Sequence, residues 1–336
     1  MKKILKIVSN CIPVKGASRS IVYDLMRRSY FFIPNALFQI LAESENLSLD
    51  EIIDLYGREN KEIIIEYLDF LKDNDAIIWT DSHSKFITIN FEWNYPSIIS
   101  NTIVELGEYT VANIERIIKQ LENLGCHSIQ FRNYNTCDVQ IISKIVGFLN
   151  KSSIHSVEFY TSYTPGLVRA IVKEIEKEPR IMLFCLFNAP NSDIHFQNHN
   201  STRVFYNTTQ MINSTVNSKV HKNHFVVNMK LFTESQEYNT FFNKKLTINE
   251  EGFVKNAPNS NTNFGKILDV NLEKVVTSAE FQKLWRVSKN FISKCQNCEF
   301  RFMCTDGSNL TYNEKEEVWI TDDKCGYNPY TAEWEE

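Results

Sequence analysis

The alternation of apolar and polar positions divides the chain into three stretches with different predicted secondary structure. The pattern in residues 1–84 predicts short strands followed by three helices. From about residue 85 to residue 240, short apolar runs alternate with segments of helical periodicity, which is typical of a parallel sheet with crossover helices. After about residue 241 the pattern predicts a hairpin, a short amphipathic helix and a cysteine-rich segment. We therefore predict an α/β protein with domains at 1–84, 85–240 and 241–336.

Residues 1–84 contain clear signals for where predicted strands and helices begin and end. Predicted strands lie at residues 3–9, 19–25, 29–33 and 76–80, and predicted helices at 36–42, 49–56 and 60–72. Ser48 followed by Glu51 is a capping-box pattern, which predicts a helix start at residue 49. The third helix has apolar residues on more than one face. This excess predicts a second contact, made either with another domain or with a bound peptide.

The central stretch predicts repeated strand–helix units. Predicted strands lie at 86–92, 128–132, 156–161, 181–187, 202–206 and 225–229, and predicted helices at 110–124, 138–149 and 167–177. The run at 181–187 lacks alternation, as expected for a strand that is covered on both faces. The pattern is compatible with a partial barrel or with an open doubly wound sheet.

Composition and charge exclude some classes of partner. The chain has 36 basic and 41 acidic side chains, a net charge of −5, and the sequence shows no basic face that would bind nucleic acid. No run of eighteen apolar residues is present, so we expect no membrane span. Asn10, Lys15 and Arg19 interrupt the apolar core that a signal peptide would need. We therefore expect a cytoplasmic protein.

Four of the eight cysteines are concentrated near the C-terminus. Their spacing is Cys295-x2-Cys298-x5-Cys304-x20-Cys325, whereas the other four are scattered singly. A pair separated by two residues presents two thiolates to one point, and four thiolates complete either a four-iron cluster or a tetrahedral zinc site. A reducing compartment disfavours disulfides. The spacing predicts a metal site and leaves iron–sulfur and zinc as alternatives.

The C-terminal stretch resembles a SPASM domain, the auxiliary-cluster domain of many peptide-modifying radical SAM enzymes. The matching pieces are the hairpin at 248–252, the segments 264–270 and 281–285, and the four cysteines above. In that family these cysteine positions hold the distal auxiliary [4Fe–4S] cluster, so the resemblance implies one such cluster here. The family's second auxiliary cluster is not implied, because its cysteine positions fall near Asn256 and at Ser308.

The central stretch is similar in order and size to a radical SAM partial (β/α)6 barrel, with one large departure. Such enzymes carry a C-x3-C-x2-C loop after the first strand, and the corresponding residues 93–101 contain no cysteine. Residues 131–137 likewise differ from the family's glycine-rich motif. The resemblance therefore implies a degenerate barrel, without S-adenosylmethionine and without radical chemistry.

The first 84 residues resemble the RiPP recognition element, a PqqD-like winged helix–turn–helix that binds leader peptides. In that family the leader adds as a strand at the edge of the third strand and packs on the third helix. The resemblance implies peptide-binding residues on the strand at 29–33 and on the helix at 60–72, namely Tyr30, Phe32, Ile63, Tyr67 and Phe70.

The whole chain resembles the SPASM-domain peptide maturase of grasp-with-spasm systems, through residues 10–20 and 298–307 in particular. This resemblance implies a precursor leader peptide and an ATP-grasp ligase as partners. The first hypothesis is a non-radical accessory protein that presents a precursor peptide to the ligase. The alternatives are an enzyme that uses the cluster for electron transfer or the barrel for chemistry, and a zinc-stabilised binding protein. No catalytic residue can be named from the sequence.

Overall fold

The computed structural model describes residues 3–81, 89–135, 138–168, 170–171, 173, 178–196, 203–211, 220, 225–322 and 325–335. The chain divides into two compact units. The terminal unit comprises Met1–Asn94, Lys219–Thr240 and Arg286–Glu336, and the sheet unit comprises Tyr95–Ser218 and Phe241–Trp285. Within the described ranges, no helix has the length and apolar character that crossing a membrane requires.

The elements are numbered in chain order. The helices are α1 (Asn35–Glu43), α2 (Leu49–Tyr56), α3 (Lys61–Asp73), α4 (Glu108–Ala112), α5 (Ile114–Asn123), α6 (Val139–Leu149), α7 (Met229–Glu237), α8 (Leu272–Val276) and α9 (Ala279–Gln282). Short 3-10 helices occur at Arg58–Asn60, Lys289–Phe291 and Cys295–Asn297. The strands are β1 (Ile4–Ile7), β2 (Cys11–Val14), β3 (Ser20–Asp24), β4 (Ser29–Ile33), β5 (Ile77–Thr80), β6 (Asn101–Glu105), β7 (Ser128–Arg132), β8 (Ser156–Ser162), β9 (Ile181–Phe187), β10 (Asp193–Phe196), β11 (Arg203–Tyr206), β12 (Lys245–Ile248), β13 (Val254–Lys255), β14 (Leu310–Asn313), β15 (Val318–Thr321), β16 (Tyr327–Asn328) and β17 (Glu333–Trp334).

The terminal unit is built around the three-stranded antiparallel sheet β2-β3-β4, with β3 in the centre. All five residues of β3 are buried, because both faces of this sheet are covered. Val22 belongs to a core formed with helices α1–α3, whereas Ile21 and Tyr23 belong to a second core that includes residues around the C-terminal cysteines. The small sheet therefore lies between the helices and the cysteine region.

The capping box at the start of α2 is present as predicted. The Ser48 hydroxyl accepts a hydrogen bond from the Glu51 backbone N–H, and the Glu51 carboxylate accepts one from the Ser48 N–H at 2.9 Å. These two contacts satisfy amide groups that the helix itself leaves unpaired.

We expect Ser48→Ala to lower the free energy of unfolding by about 1 kcal/mol, because the mutation removes the N-cap acceptor. Urea titration followed by circular dichroism measures this change. Ser18, an exposed serine in the turn between β2 and β3, supplies the control, and Ser18→Ala should stay within about 0.5 kcal/mol of the unmodified protein. Equal effects of the two substitutions would contradict a capping role for Ser48.

The sheet unit contains an eight-stranded sheet in the order β10-β11-β9-β8-β7-β6-β12-β13. The strands from β11 to β12 in this order are parallel to their neighbours, and β10 and β13 are antiparallel at the two ends. One face is apolar, with stacked rings of Phe131, Phe159 and Phe184 whose centroids lie 5.3 and 4.9 Å apart. Alternation along β7 and β8 therefore places Gln130, Arg132 and Glu158 on the opposite face.

The predicted α/β class with a central parallel sheet is confirmed, and so are the strands at 128–132, 156–161 and 181–187. The predicted strand at 225–229 is wrong, because residues 225–228 are irregular and α7 begins at Met229. The predicted helix at 110–124 is divided at Asn113. Strand β2 was not predicted.

The first parallel strand lies later than the sequence indicated. Residues 86–88 of the predicted strand 86–92 lie outside the described residues, and residues 89–92 are irregular. Strand β6 is the first parallel strand of the sheet. Its polar ends and short apolar run explain why its sequence is similar to that of a loop. The loop that follows the first parallel strand therefore begins at Leu106 rather than in residues 93–101. Residues 106–113 also contain no cysteine.

The two compact units group the chain differently from the three predicted ranges. Residues 241–285 lie with the parallel sheet, whereas residues 286–336 lie with the N-terminal segment. The winged helix–turn–helix and SPASM assignments stay predictions.

Candidate metal centre

Three of the four clustered cysteines lie within ten consecutive residues, and two of them share one tight turn. Cys295 opens the 3-10 helix Cys295–Asn297, and the Cys298 N–H donates to its carbonyl at 3.0 Å. The Cys304 N–H donates to the Phe300 carbonyl at 3.1 Å, which turns the chain back. Cys325 comes from a distant segment just before β16. The Lys294 ammonium donates to the Cys325 carbonyl at 3.0 Å and so connects the two segments.

All four cysteines line a single cavity in the terminal unit. The other lining residues are four with rings, four with charged side chains and one threonine. They are Phe225, Phe300, Tyr327, Pro329, Lys289, Lys294, Arg301, Asp306 and Thr321. Each of the four thiols belongs to a half-buried residue without a disulfide. Across the described ranges, no three His, Cys, Asp or Glu side chains lie close enough together to be identified as ligands of one metal ion.

Burial raises the pKa of all four thiols. Desolvation is the largest cause in each case, and it raises the pKa to about 12 for Cys295 and to about 11 for Cys304. The pKa of Cys298 lies well above its ordinary value, and that of Cys325 is also raised. The thiols are therefore protonated at neutral pH unless a bound cation stabilises their charged forms. Metal binding at this site must release protons.

Backbone amides of the loop lower the pKa of three of the thiols. The amides of Phe300, Asp306 and Tyr327 act on Cys298, Cys304 and Cys325, respectively, but burial outweighs them. In every case the amide lies two residues after the cysteine. Amide hydrogen bonds to cysteine sulfurs are among the contacts that tune iron–sulfur clusters. Four thiols around one cavity, with amides nearby, are the chemical groups that a four-cysteine cluster requires.

A buried lysine supplies positive charge beside the thiols. Lys289 is only 5% exposed, and its ammonium donates to the Asp306 carbonyl at 3.3 Å. Burial lowers the pKa of Lys289, but the nearby Cys304, Cys295 and Asp306 outweigh burial, and the pKa is raised. A buried ammonium is stable only beside compensating negative charge, which four thiolates provide.

An ion pair attaches the N-terminal turn to the cysteine loop. Glu299 is fully buried, and its carboxylate accepts a hydrogen bond from the Arg19 guanidinium at 2.8 Å and another from the Tyr327 hydroxyl. The Tyr23 hydroxyl donates to the Glu299 carbonyl at 2.6 Å, and the Ala17 N–H donates to the Asn297 carbonyl at 2.8 Å. The segments at 10–20 and 298–307, far apart in sequence, therefore meet at this site.

The five predicted peptide-binding residues do not all lie on one surface. Tyr30 and Phe32 are 37% and 38% exposed on β4, an edge strand of the β2-β3-β4 sheet, and both rings contact Phe300. Phe31 points to the opposite side of β4, where its ring lies 5.6 Å from that of Phe70 on α3. Phe31 was not among the predicted peptide-binding residues, although the two-residue periodicity of a strand places it toward the helix.

Helix α3 presents an apolar stripe among acidic residues. Ile63 and Phe70 are 46% and 42% exposed, whereas Tyr67 packs partly into the helical core. Residues 49–74, which include α2 and α3, contain eight acidic and three basic side chains. The stripe therefore lies on a negatively charged helical surface.

The sheet unit contains a separate polar cavity of about 260 Å³. Arg132 donates to the Gln130 amide oxygen at 2.5 Å, and Gln130 donates to the Glu158 carboxylate at 2.9 Å. Sequence analysis singled out none of these residues, although alternation along β7 and β8 would have placed all three on one face.

Among the described residues, the remaining cysteines and the two positions of the second auxiliary cluster form no further group of metal-binding side chains. Cys11, Cys126 and Cys185 are buried, and Cys137 lies outside the described residues. Asn256 is buried and donates to the Phe242 and Lys245 carbonyls at 3.0 and 2.9 Å. The Ser308 hydroxyl donates to the Asp306 carboxylate at 2.9 Å.

Comparisons with solved structures give weak matches. No protein-family model matches the chain. No curated protein sequence matches it. Similar solved structures include Streptococcus suis SuiB bound to S-adenosylmethionine, with 11% identity and a TM-score of 0.34 over 96% of this chain and 100% of SuiB. SuiB bound to precursor peptide SuiA is similar, with 11% identity and a TM-score of 0.31 over the same shares. Such values are too low to establish a shared fold.

Proposed function

We propose that this chain is a maturation protein for a ribosomally synthesised peptide, and that it binds the precursor leader and acts without radical chemistry. The observation that supports this function best is the presence of a four-thiol cavity and an exposed edge strand in the same compact unit. The cysteine spacing supplies a cluster site, and β4 supplies a place for an extended peptide.

The proposed cofactor is one [4Fe–4S] cluster on Cys295, Cys298, Cys304 and Cys325. When bound, a cluster with four cysteine ligands supplies electron transfer or structural stabilisation, because it has no open iron for a substrate. Three backbone amides lie where they would help to orient the thiolates of a bound cluster, and Lys289 would offset their negative charge. The resemblance of the spacing to SPASM domains supports iron over zinc.

The proposed partner at β4 is an extended, basic and amphipathic leader segment. An edge strand binds such a segment by main-chain hydrogen bonds, and neighbouring pockets select its side chains. Ile63 and Phe70 offer apolar contacts, and the acidic side chains of α2 and α3 favour a positively charged partner. Bond formation on the peptide then belongs to a separate ATP-grasp ligase, as the resemblance to grasp-with-spasm proteins implies.

The test is a fluorescence titration of the anaerobically purified protein with a labelled synthetic leader, taken from the precursor gene nearest to its own gene. We expect Phe70→Asp to weaken binding by about thirtyfold in Kd, because the mutation places a charge at the apolar contact and in an acidic surface. The control is Tyr312→Asp at an exposed tyrosine of the β14–β15 hairpin, which should leave Kd unchanged. Failure of the unmodified protein to bind any leader would contradict the proposed function.

A second candidate function is catalysis in the sheet unit. The linked side chains of Arg132, Gln130 and Glu158 beside a cavity of about 260 Å³ favour it, because they place a cation and a carboxylate where a small polar group fits. Glu158→Gln distinguishes the two candidates. Loss of modified peptide with unchanged leader binding would favour catalysis, whereas retained modification would favour the accessory role.

A further inference from the structure

We propose that Phe300 couples occupancy of the cysteine centre to peptide docking on β4, so that the cluster-loaded protein binds the leader more tightly than the cluster-free protein. This inference rests on the proposed function, since it requires both a cluster and a peptide at β4. In this inference the bound cluster increases the affinity for the leader, and Phe300 is the positioning residue that connects the two sites.

The backbone of Phe300 lies between two of the proposed cluster ligands. Phe300 follows Cys298 by two residues, and its carbonyl accepts a hydrogen bond from the Cys304 N–H at 3.1 Å. A cluster held by both cysteines therefore also holds the main chain of Phe300.

The side chain of Phe300 extends from this turn to β4. The ring is 3% exposed, and its centroid lies 5.8 Å from that of Phe32 and 6.1 Å from that of Tyr30, both in edge-to-face geometry. On its other sides the ring contacts Phe225 and Tyr327, each at 4.9 Å. The two β4 residues that the resemblance assigns to peptide binding thus pack directly on a residue of the cysteine loop.

A second connection runs through Arg19. Its guanidinium pairs with Glu299 at 2.8 Å, and its Cζ atom lies 3.6 Å from the centroid of the Phe32 ring. Glu299 is the residue between Cys298 and Phe300. Both residues that follow Cys298 are therefore connected to Phe32. Phe300 contacts it directly, and Glu299 is connected to it through Arg19.

Loss of the cluster should release these contacts. Without the cluster, the loop loses the iron–sulfur bonds that would join its four cysteines to one another. Phe300 then holds Tyr30 and Phe32 less firmly, and a peptide strand must order them when it binds. Such a coupling is reciprocal, so peptide binding should also change the environment of the cluster.

The experiment compares the Kd of the labelled leader for anaerobically purified protein with that for protein stripped of iron by ferricyanide and EDTA. We expect about tenfold tighter binding by the loaded protein, within the usual range of coupling between two sites. In parallel, the visible circular dichroism of the cluster is recorded with and without leader, and we expect it to change when leader binds.

Two variants separate the role of Phe300 from general damage to the loop. Phe300→Leu should retain iron. The ratio of Kd between stripped and loaded protein should fall toward one, and the spectral change on leader binding should become smaller. Phe302→Leu is the matched control, because the Phe302 ring contacts Phe232 and Arg301, and it should retain both signals. Phe32→Leu removes the same contact from the β4 side and tests the coupling if Phe300→Leu fails to load iron.

The outcomes distinguish this inference from the proposed function. Equal Kd values for loaded and stripped protein, with no spectral change on binding, would overturn the coupling while leaving peptide binding intact. Absence of leader binding by the loaded protein would overturn both. Full coupling in both Phe300→Leu and Phe32→Leu would show that this contact does not transmit it.

Discussion

Replacing Cys304 by alanine should lower the iron content of anaerobically purified protein from about four per chain to fewer than one. Cys304 lines the same cavity as Cys295, Cys298 and Cys325. Its loss removes one of the four proposed ligands and part of the negative charge that would offset the buried Lys289. Iron, acid-labile sulfide and zinc are measured together for both proteins.

The matched control for this prediction is Cys126→Ala. Cys126 is also buried, but it lies in the sheet unit with its sulfur 3.3 Å from the Thr102 hydroxyl oxygen. Its removal should leave the iron content unchanged. About one zinc per chain and no iron in the unmodified protein would support the zinc-stabilised alternative. About eight irons would reveal a second cluster and reopen the radical-enzyme interpretation.

Arg19→Gln should lower the free energy of unfolding by about 3 kcal/mol, because it leaves the Glu299 carboxylate buried without its cation. Glu299 is fully buried, whereas the Arg19 side chain is 32% exposed. The pair also attaches the β2–β3 turn to the cysteine loop. Urea titration of the anaerobic protein measures the change.

An exposed ion pair supplies the control for Arg19. Arg58 and Asp54 lie 2.9 Å apart with side chains 83% and 56% exposed, and Arg58→Gln should cost no more than about 0.5 kcal/mol. The double variant Arg19→Gln with Glu299→Gln should be more stable than Arg19→Gln alone, because it removes the unpaired charge. If Arg19→Gln costs no more than Arg58→Gln, the pair does not stabilise the unit as argued.

Local signals in the sequence located much of the secondary structure. The Ser48 capping box predicted the start of α2, and the apolar run at 181–187 predicted strand β9. The expectation that this strand is covered on both faces is wrong at Met182, which is 36% exposed. Strand β6 escaped prediction, because its short apolar run between polar ends carries little local signal. Its place in the sheet depends on pairing with β7 and β12, and those strands are distant in sequence.

The predicted pairing of Cys295 with Cys298 was visible in the sequence for a physical reason. Close spacing places Cys295 and Cys298 on one turn whatever the rest of the fold does. The recruitment of Cys325 required a resemblance as well, since a gap of twenty residues does not by itself bring a side chain to the site. The structure brings it to the same cavity, where Lys294 bonds to its carbonyl.

The sequence by itself determined the α/β class, most of the elements and the pairing of Cys295 with Cys298, because these depend on contacts between near neighbours in the chain. Only the tertiary structure decided that β3 is buried on both faces and that Arg19 meets Glu299 across 280 positions of sequence. It also decided that Phe300 joins the cysteine turn to β4. Contacts of this kind leave no periodic trace, because they depend on how separate elements pack together.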